Sequence, residues 1–226
     1  MTEKTSCFQD DISDVSEPLT PLDSFFEYLS EEFFEEVAAQ TNLYSVQQSL
    51  KSMNTNAKEI IRLVGHHVWM DTLKFPQVIL VPEFELDCFS EAMIRNRFST
   101  FRQNLYFVDN LAPHNDSDKL WKVQPFLQAI KEKCLSLPRL KQISFDEQMI
   151  PFTGRCSLRQ YVPNKPNPVE LKNFVLSARD GLVLDFIIYD GKAAFLQKIC
   201  EIMDDWGHSK VTFCYYSPAC NPCLIH

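Results

Sequence analysis

From Leu22 onward apolar side chains recur every three or four positions: Leu22, Phe25, Phe26, Leu29, Phe33 and Val37. That spacing puts them on one stripe of a helix. Thr20 can cap it, Pro21 suits its first position and Asp23 its first turn, so an acidic helix is predicted from position 20 to about 40. Its glutamates Glu27, Glu31, Glu32, Glu35 and Glu36 then face water. Asn56-x-x-Glu59 has the form of a capping box and opens a second helix through Ile60, Ile61, Leu63, Val64 and Val68. Pro76 and Pro82 bracket a short apolar run. Ser90 can cap a third helix carrying Met93, Ile94, Phe98, Phe101 and Leu105. A turn at 113–117 precedes a fourth helix over 118–135, which Pro138 stops.

Beyond Pro138 the period shortens to two. Strands are predicted over 141–152, 158–162, 171–178 and 182–189, separated by Gly154, a proline-bounded turn at 163–168 and Asp180-Gly181. A last helix over 193–205 gathers Phe195, Leu196, Ile199, Ile202, Met203 and Trp206 on one side. The fold class is therefore α+β: helices, a strand meander, then a helix, with no internal repeat. The chain divides into an acidic arm (1–20) too poor in large apolar groups to order itself, a helical region (21–138), a sheet region (139–206) and a cysteine-rich tail (207–226).

At 226 residues with 45% apolar types, the chain can bury a real core. Its five glycines are too scattered to form a phosphate-cradling loop, which excludes P-loop and dinucleotide fingerprints. No stretch is long and apolar enough to span a bilayer, and the acidic N-terminus does not read as a signal peptide, so no membrane partner is expected. The net charge of −8 is uneven. Residues 1–36 hold eleven acids and one lysine, and the remainder is about +2. Positions 139–179 hold seven basic side chains against Asp146, Glu147 and Glu170, a surplus that suits an anionic polymer. Cys7, Cys88, Cys134 and Cys156 are scattered and read as reduced thiols.

Along the first predicted strand Ser144, Asp146, Gln148 and Ile150 share one face. Asp146 reads either as a divalent-metal ligand or as a carboxylate near a strand end, in contact with water or an arginine such as Arg155. Here longer strings become informative: Ser144-Phe-Asp-Glu-Gln-Met-Ile-Pro-Phe-Thr-Gly-Arg155, Arg159-Gln-Tyr-Val-Pro-Asn-Lys-Pro166 and Leu171-Lys-Asn-Phe174. Upstream stand Gln40-Thr-Asn-Leu-Tyr44, Arg95-Asn-Arg-Phe98, Phe107-Val-Asp-Asn110 and Lys122-Val-Gln-Pro125. Downstream are Gly181-Leu-Val-Leu-Asp-Phe186 and Tyr189-Asp-Gly-Lys192. Together they closely resemble the piggyBac family of DNA transposases, from about Phe25 to Lys192.

The resemblance implies an RNase H-like sheet behind a helical dimerisation and DNA-binding region. It also implies strand cleavage and transfer by Mg²⁺ ions held on three aspartates. Asp146, in Phe145-Asp-Glu-Gln148, matches the first of the three and is the catalytic and Mg²⁺-binding position it assigns. No string matches the second or third. Asp204 and Asp205 fall in a predicted helix, and Asp185 falls on a position that is not catalytic in the family. Glu170 stands where the family commonly has glycine, and Asp190 where it often has glutamine. One carboxylate does not hold a metal pair. The expectation is a truncated, catalytically incomplete transposase fragment with a vestigial metal position, no functional cofactor and a nuclear location.

Arg155, Arg159, Lys165 and Lys172 flank the strand and turn of the resembling block. They read either as contacts to DNA phosphates or as ordinary solvated surface, with nothing suggesting base-specific readout. The expected partners are DNA, bound weakly and non-specifically, and a second copy or a related transposase. The alternative is a pure protein-interaction module in which DNA plays no part. The tail's Cys214, Cys220, Cys223 and His226 could ligate zinc, but the second half is cramped, and an unstructured end is the simpler reading. Cys223-Leu-Ile-His226 resembles a prenylation box without the usual final residue. His66 and His67 are adjacent and diverge on a helix, and the aromatic clusters at 25–34 and 98–107 read as packing.

Overall fold

The computed structural model describes residues 19–73, 93–138, 143–163 and 168–205. Residues 1–18 of the acidic arm, the run at 77–81 with the Ser90 cap, Lys165 and the cysteine-rich tail lie outside the described residues.

Helix α1 (Pro21–Tyr28) opens with the expected box: Thr20 Oγ1 accepts from the Asp23 N–H at 3.1 Å, and the Asp23 carboxylate accepts from the Thr20 N–H at 3.2 Å. The helix does not run on to position 40. Leu29 turns extended (φ −136°, ψ 97°) and buries its side chain, and Ser30 caps a new helix, α2 (Glu31–Ser49), by accepting from the Phe33 N–H at 3.3 Å. A serine followed by Glu31 and Glu32 is a strong helix start, and its cap recovers part of the backbone bonding that the break costs. Helix α2 ends on Leu50, which adopts the left-handed conformation (φ 57°) with its side chain in solvent.

Helix α3 (Ala57–Leu73) forms half of its box. Asn56 Oδ1 accepts from the Glu59 N–H at 3.1 Å, but the Glu59 carboxylate turns to Thr55 and Arg97. Helix α4 (Arg95–Asn104) follows the 98/101 spacing, with Phe98 and Phe101 buried. Helix α5 (Gln124–Ser136) starts six residues later than the periodicity suggested. Asp118 Oδ1 accepts from the Leu120 N–H at 2.8 Å, a local turn that competes with helix, and Pro125 sits in the first turn of α5.

The first core lies among these helices: Leu29, Phe34, Val37, Ile60, Leu63 and Phe101, with Phe25, Phe26, Phe33, Phe107 and Phe126 packed around them. The aromatic clusters do belong to packing.

The second core lies under a sheet of β1 (Ile143–Pro151), β2 (Gln160–Tyr161), β3 (Val169–Ala178) and β4 (Val183–Ile188), covered by α6 (Lys192–Asp205). Helices followed by an antiparallel sheet is the expected class, but the strands do not follow one another as the expected meander, because β1 pairs with β3 and not with β2. All described pairings are antiparallel. Strand β3 pairs with β1 on one side and with β2 and β4 on the other, with a bulge between Leu176 and Ser177 opposite β4. The register sets the two faces. Phe145, Leu176 and Asp185 lie in one row, facing α5 and α6, and Asp146, Val175 and Phe186 lie in the next row, on the opposite face.

Helix α5 joins the two cores. It packs on α1 and on β4, and Lys133 Nζ meets Glu27 of α1 at 2.7 Å. Two residues earlier on the same helix, Lys131 Nζ reaches the buried carboxylate of Asp185 on β4 at 2.9 Å.

Candidate functional site

Strand alternation carries Asp146 onto the open sheet face, where it is exposed. One carboxylate oxygen accepts from the Glu147 N–H at 2.7 Å. Around it lies an open depression of about 450 Å³ lined by Gln148, Asn173, Val175, Ser177 and Phe186 among others. Asn173 pairs with Gln148 in register and donates from Nδ2 to its Oε1 at 3.0 Å. The other amide atom, Asn173 Oδ1, is buried with no hydrogen-bond partner among the described residues. Asp146 does not contact Arg155. It sits mid-strand, at the surface.

The remaining sequence candidates do not converge on Asp146. Arg155 and Arg159 are exposed in the connection between β1 and β2, where Arg159 Nε donates to the Cys156 carbonyl at 3.2 Å. Lys172 faces the other side of the sheet, where its ammonium meets the Glu147 carboxylate at 3.2 Å. Asp185 also occupies that other face, paired with Lys131. Glu170 is buried on β3 opposite Pro151 and Gln160, and Asp190 meets Lys198 at 3.4 Å. His66 and His67 each lie within hydrogen-bond distance of the carbonyl four residues back through Nδ1, at 2.7 and 2.8 Å, and their rings pack on Phe98. Asn173 as a neighbour of Asp146 was not foreseeable from spacing. It depends on the β1–β3 register, which pattern alone leaves open.

Magnesium requires near-octahedral oxygens, with one or two carboxylates for each ion. The open face supplies the Asp146 carboxylate and amide oxygens nearby. Glu147 lines the rim, but its side chain is turned to Lys172. Among the described residues no group of three or more His, Cys, Asp or Glu comes together to hold a metal. This donor set fits part of one coordination shell and does not fit a metal pair.

A helical layer joined by one helix to an antiparallel sheet is a fold shared with a solved transposase. A cryo-EM structure of the piggyBac transposase synaptic complex with hairpin DNA matches it with a TM-score of 0.68 and 22% identity, over 82% of this chain and 43% of that one. The family described as Transposase IS4 matches residues 20–200, and the chain belongs to that family. It is homologous to the human PiggyBac transposable element-derived protein 3, at 28% identity over 178 residues. It is 28% identical over the same length to the human Chimeric ERCC6-PGBD3 protein. Each alignment takes in 76% of this chain, but the chain spans only 30% of the first relative and 17% of the second. What it carries is a transposase-derived domain. Among the described residues no helix is long and apolar enough to cross a membrane.

Proposed function

We propose that this chain binds DNA through phosphate contacts and does not cut it unaided. The reading rests on one observation: among the described residues, Asp146 is the lone acidic side chain directed onto the open face of the sheet. Asp146 stands at the family's first catalytic position, and a metal-dependent cleavage site needs further acids converging there. Arg155 and Arg159 supply exposed positive charge in the connection between β1 and β2. Lys172, engaged by Glu147, contributes less. The solved relative is a synaptic complex with DNA, which supports the same partner class here. We assign the chain to the nucleus on that basis, with a second copy or a related transposase as its protein partner.

Salt titration of duplex binding by the full chain tests the first half. Phosphate contacts give a linear fall of log affinity with log salt, and Arg155→Ala with Arg159→Ala makes that fall shallower. A flat salt response removes DNA from the function and leaves a protein-interaction module. Incubating supercoiled plasmid with Mg²⁺ or Mn²⁺ tests the second half. The expected result is no nicking; nicking that disappears in Asp146→Ala reverses the reading.

A further inference from the structure

The open face of the sheet carries a charge that the described residues leave unanswered. Alternation puts Asp146 and Gln148 of β1, Asn173, Val175 and Ser177 of β3 and Phe186 of β4 on that face. Asp146 is exposed, and among the described residues its carboxylate accepts only the Glu147 N–H, at 2.7 Å. Of the residues lining the depression around it, none is a lysine or an arginine. Glu147 at the rim is neutralised by Lys172 on the opposite face at 3.2 Å, so the uncompensated charge is that of Asp146. Asn173 lines the same depression and is 9% exposed. Its Nδ2 donates to Gln148 Oε1 at 3.0 Å, but its Oδ1 is buried with no partner among the described residues. A buried acceptor left unpaired costs free energy that an incoming donor recovers. Val175, Val183 and Phe186 give the depression apolar walls. The face therefore offers one carboxylate, one orphan amide oxygen and a greasy flank.

We propose that this face receives an arginine side chain from a partner protein. The register argues for a forked cation over a spherical one. Asp146 lies opposite Val175 and Asn173 opposite Gln148, so Asp146 and Asn173 are diagonal neighbours. Such neighbours stand about 7–8 Å apart. Magnesium needs its oxygens gathered at about 2.0–2.1 Å from one point. A guanidinium instead spreads five N–H donors over a planar fork. One edge meets the Asp146 carboxylate, and a further N–H meets Asn173 Oδ1 once the soft amide torsion turns that oxygen toward the face. Its single positive charge matches the single carboxylate. Its aliphatic stem lies along Val175, Val183 and Phe186, as long cationic side chains do on apolar surface. The ammonium of lysine is more strongly hydrated and lacks the fork, so it suits the site less well. A neutral or acidic segment would cover Asp146 without pairing it. The proposal is separate from the phosphate-contact reading, which uses Arg155 and Arg159.

The test uses the full chain and two synthetic heptapeptide libraries with randomised flanks, one with a fixed central arginine and one with citrulline, its uncharged isostere, at the same place. The best arginine peptide is then labelled and titrated by fluorescence anisotropy. The expected result has three parts. The arginine library yields binders and the citrulline library does not. In the selected peptide, citrulline weakens binding by about 10-fold or more, as loss of a charge-assisted, forked hydrogen bond requires, and lysine weakens it by less. Asp146→Asn weakens the arginine peptide to the level of the citrulline one and no longer distinguishes the two, while Asn173→Ala costs a smaller factor. Melting curves that match the unmodified chain show that the variants fold. If the two libraries perform alike, or if Asp146→Asn binds the arginine peptide as tightly as the unmodified chain does, the proposal is overturned. It is overturned equally if millimolar Mg²⁺ displaces the peptide at constant ionic strength, which would make the face a metal site. The assay contains no DNA, so its failure leaves the phosphate-contact reading standing, and a flat salt response with duplex leaves this proposal standing.

Discussion

Asp185 is 1% exposed, accepts the Phe186 N–H at 2.7 Å and faces Lys131 at 2.9 Å. The same ammonium donates to the Phe186 carbonyl at 3.3 Å. The two partners are unequal, because Lys131 keeps about a third of its side chain in water and Asp185 keeps almost none. Removing the lysine therefore strands a charge, whereas removing the acid lets an ammonium return to solvent. Lys131→Met is expected to destabilise by about 3–5 kcal/mol, and Asp185→Asn by distinctly less, in denaturant titrations. Equal losses would mean that Lys131 does not compensate the carboxylate. The same pair bears on Cys134, one turn along α5: burial first, and Asp185 second, push its thiol up, so it is a packing residue and not a nucleophile. A second ion pair sets a pH dependence. The hydrogen bond from Arg97 holds the Glu59 carboxyl below its ordinary 4.5. Its stabilisation is complete above that ordinary value and is lost as pH falls through the depressed one. Glu59→Gln should therefore flatten the acid side of a stability-versus-pH curve while leaving the neutral-to-alkaline side parallel to the parent.

At the scale of elements, α2 ends badly. Leu50 holds a left-handed backbone at φ 57° and 89% exposure, a conformation that glycine adopts without strain and leucine does not. Leu50→Gly is expected to raise the melting temperature by about 2–4 °C, roughly 1 kcal/mol for a chain of this size, as calorimetry would read. A lower value would place a native contact on that exposed leucine. The same helix shows what pattern could and could not reveal. The apolar stripe from Leu22 to Val37 was legible, but the stripe continues across Leu29 and Ser30, so the interruption was not. Its signal was the serine before two glutamates, a cue that periodicity does not weigh. Asp118 similarly held back α5 by bonding its own turn. Strand alternation placed Asp146 with Gln148 correctly, because parity alone decides it. The faces of Lys172 and Asp185, and the company of Asn173, depend on registers fixed by tertiary packing.

On the scale of the whole molecule two cores share one helix. Helix α5 is anchored to α1 through Lys133 and Glu27 and to β4 through Lys131 and Asp185, and it lies over both apolar clusters. A sheet region cut from it keeps Asp185 but loses the ammonium. Residues 139–226 expressed alone should accordingly show no sharp, cooperative thermal transition, whereas residues 19–226 melt in one step. A steep, high-temperature melt of the isolated segment would show that its own packing suffices without α5. Within the sheet, β1, β2 and β4 each pair with β3, and among the described residues none pairs with another. Strand β3 is thus the ridgepole from which the other three hang. Newly made β1 has nothing to lean on until the later strand leaves the ribosome. After assembly, a lesion at Phe174 or Leu176 loosens β1 and β4 together, while the loss of β2 removes only its own two rungs.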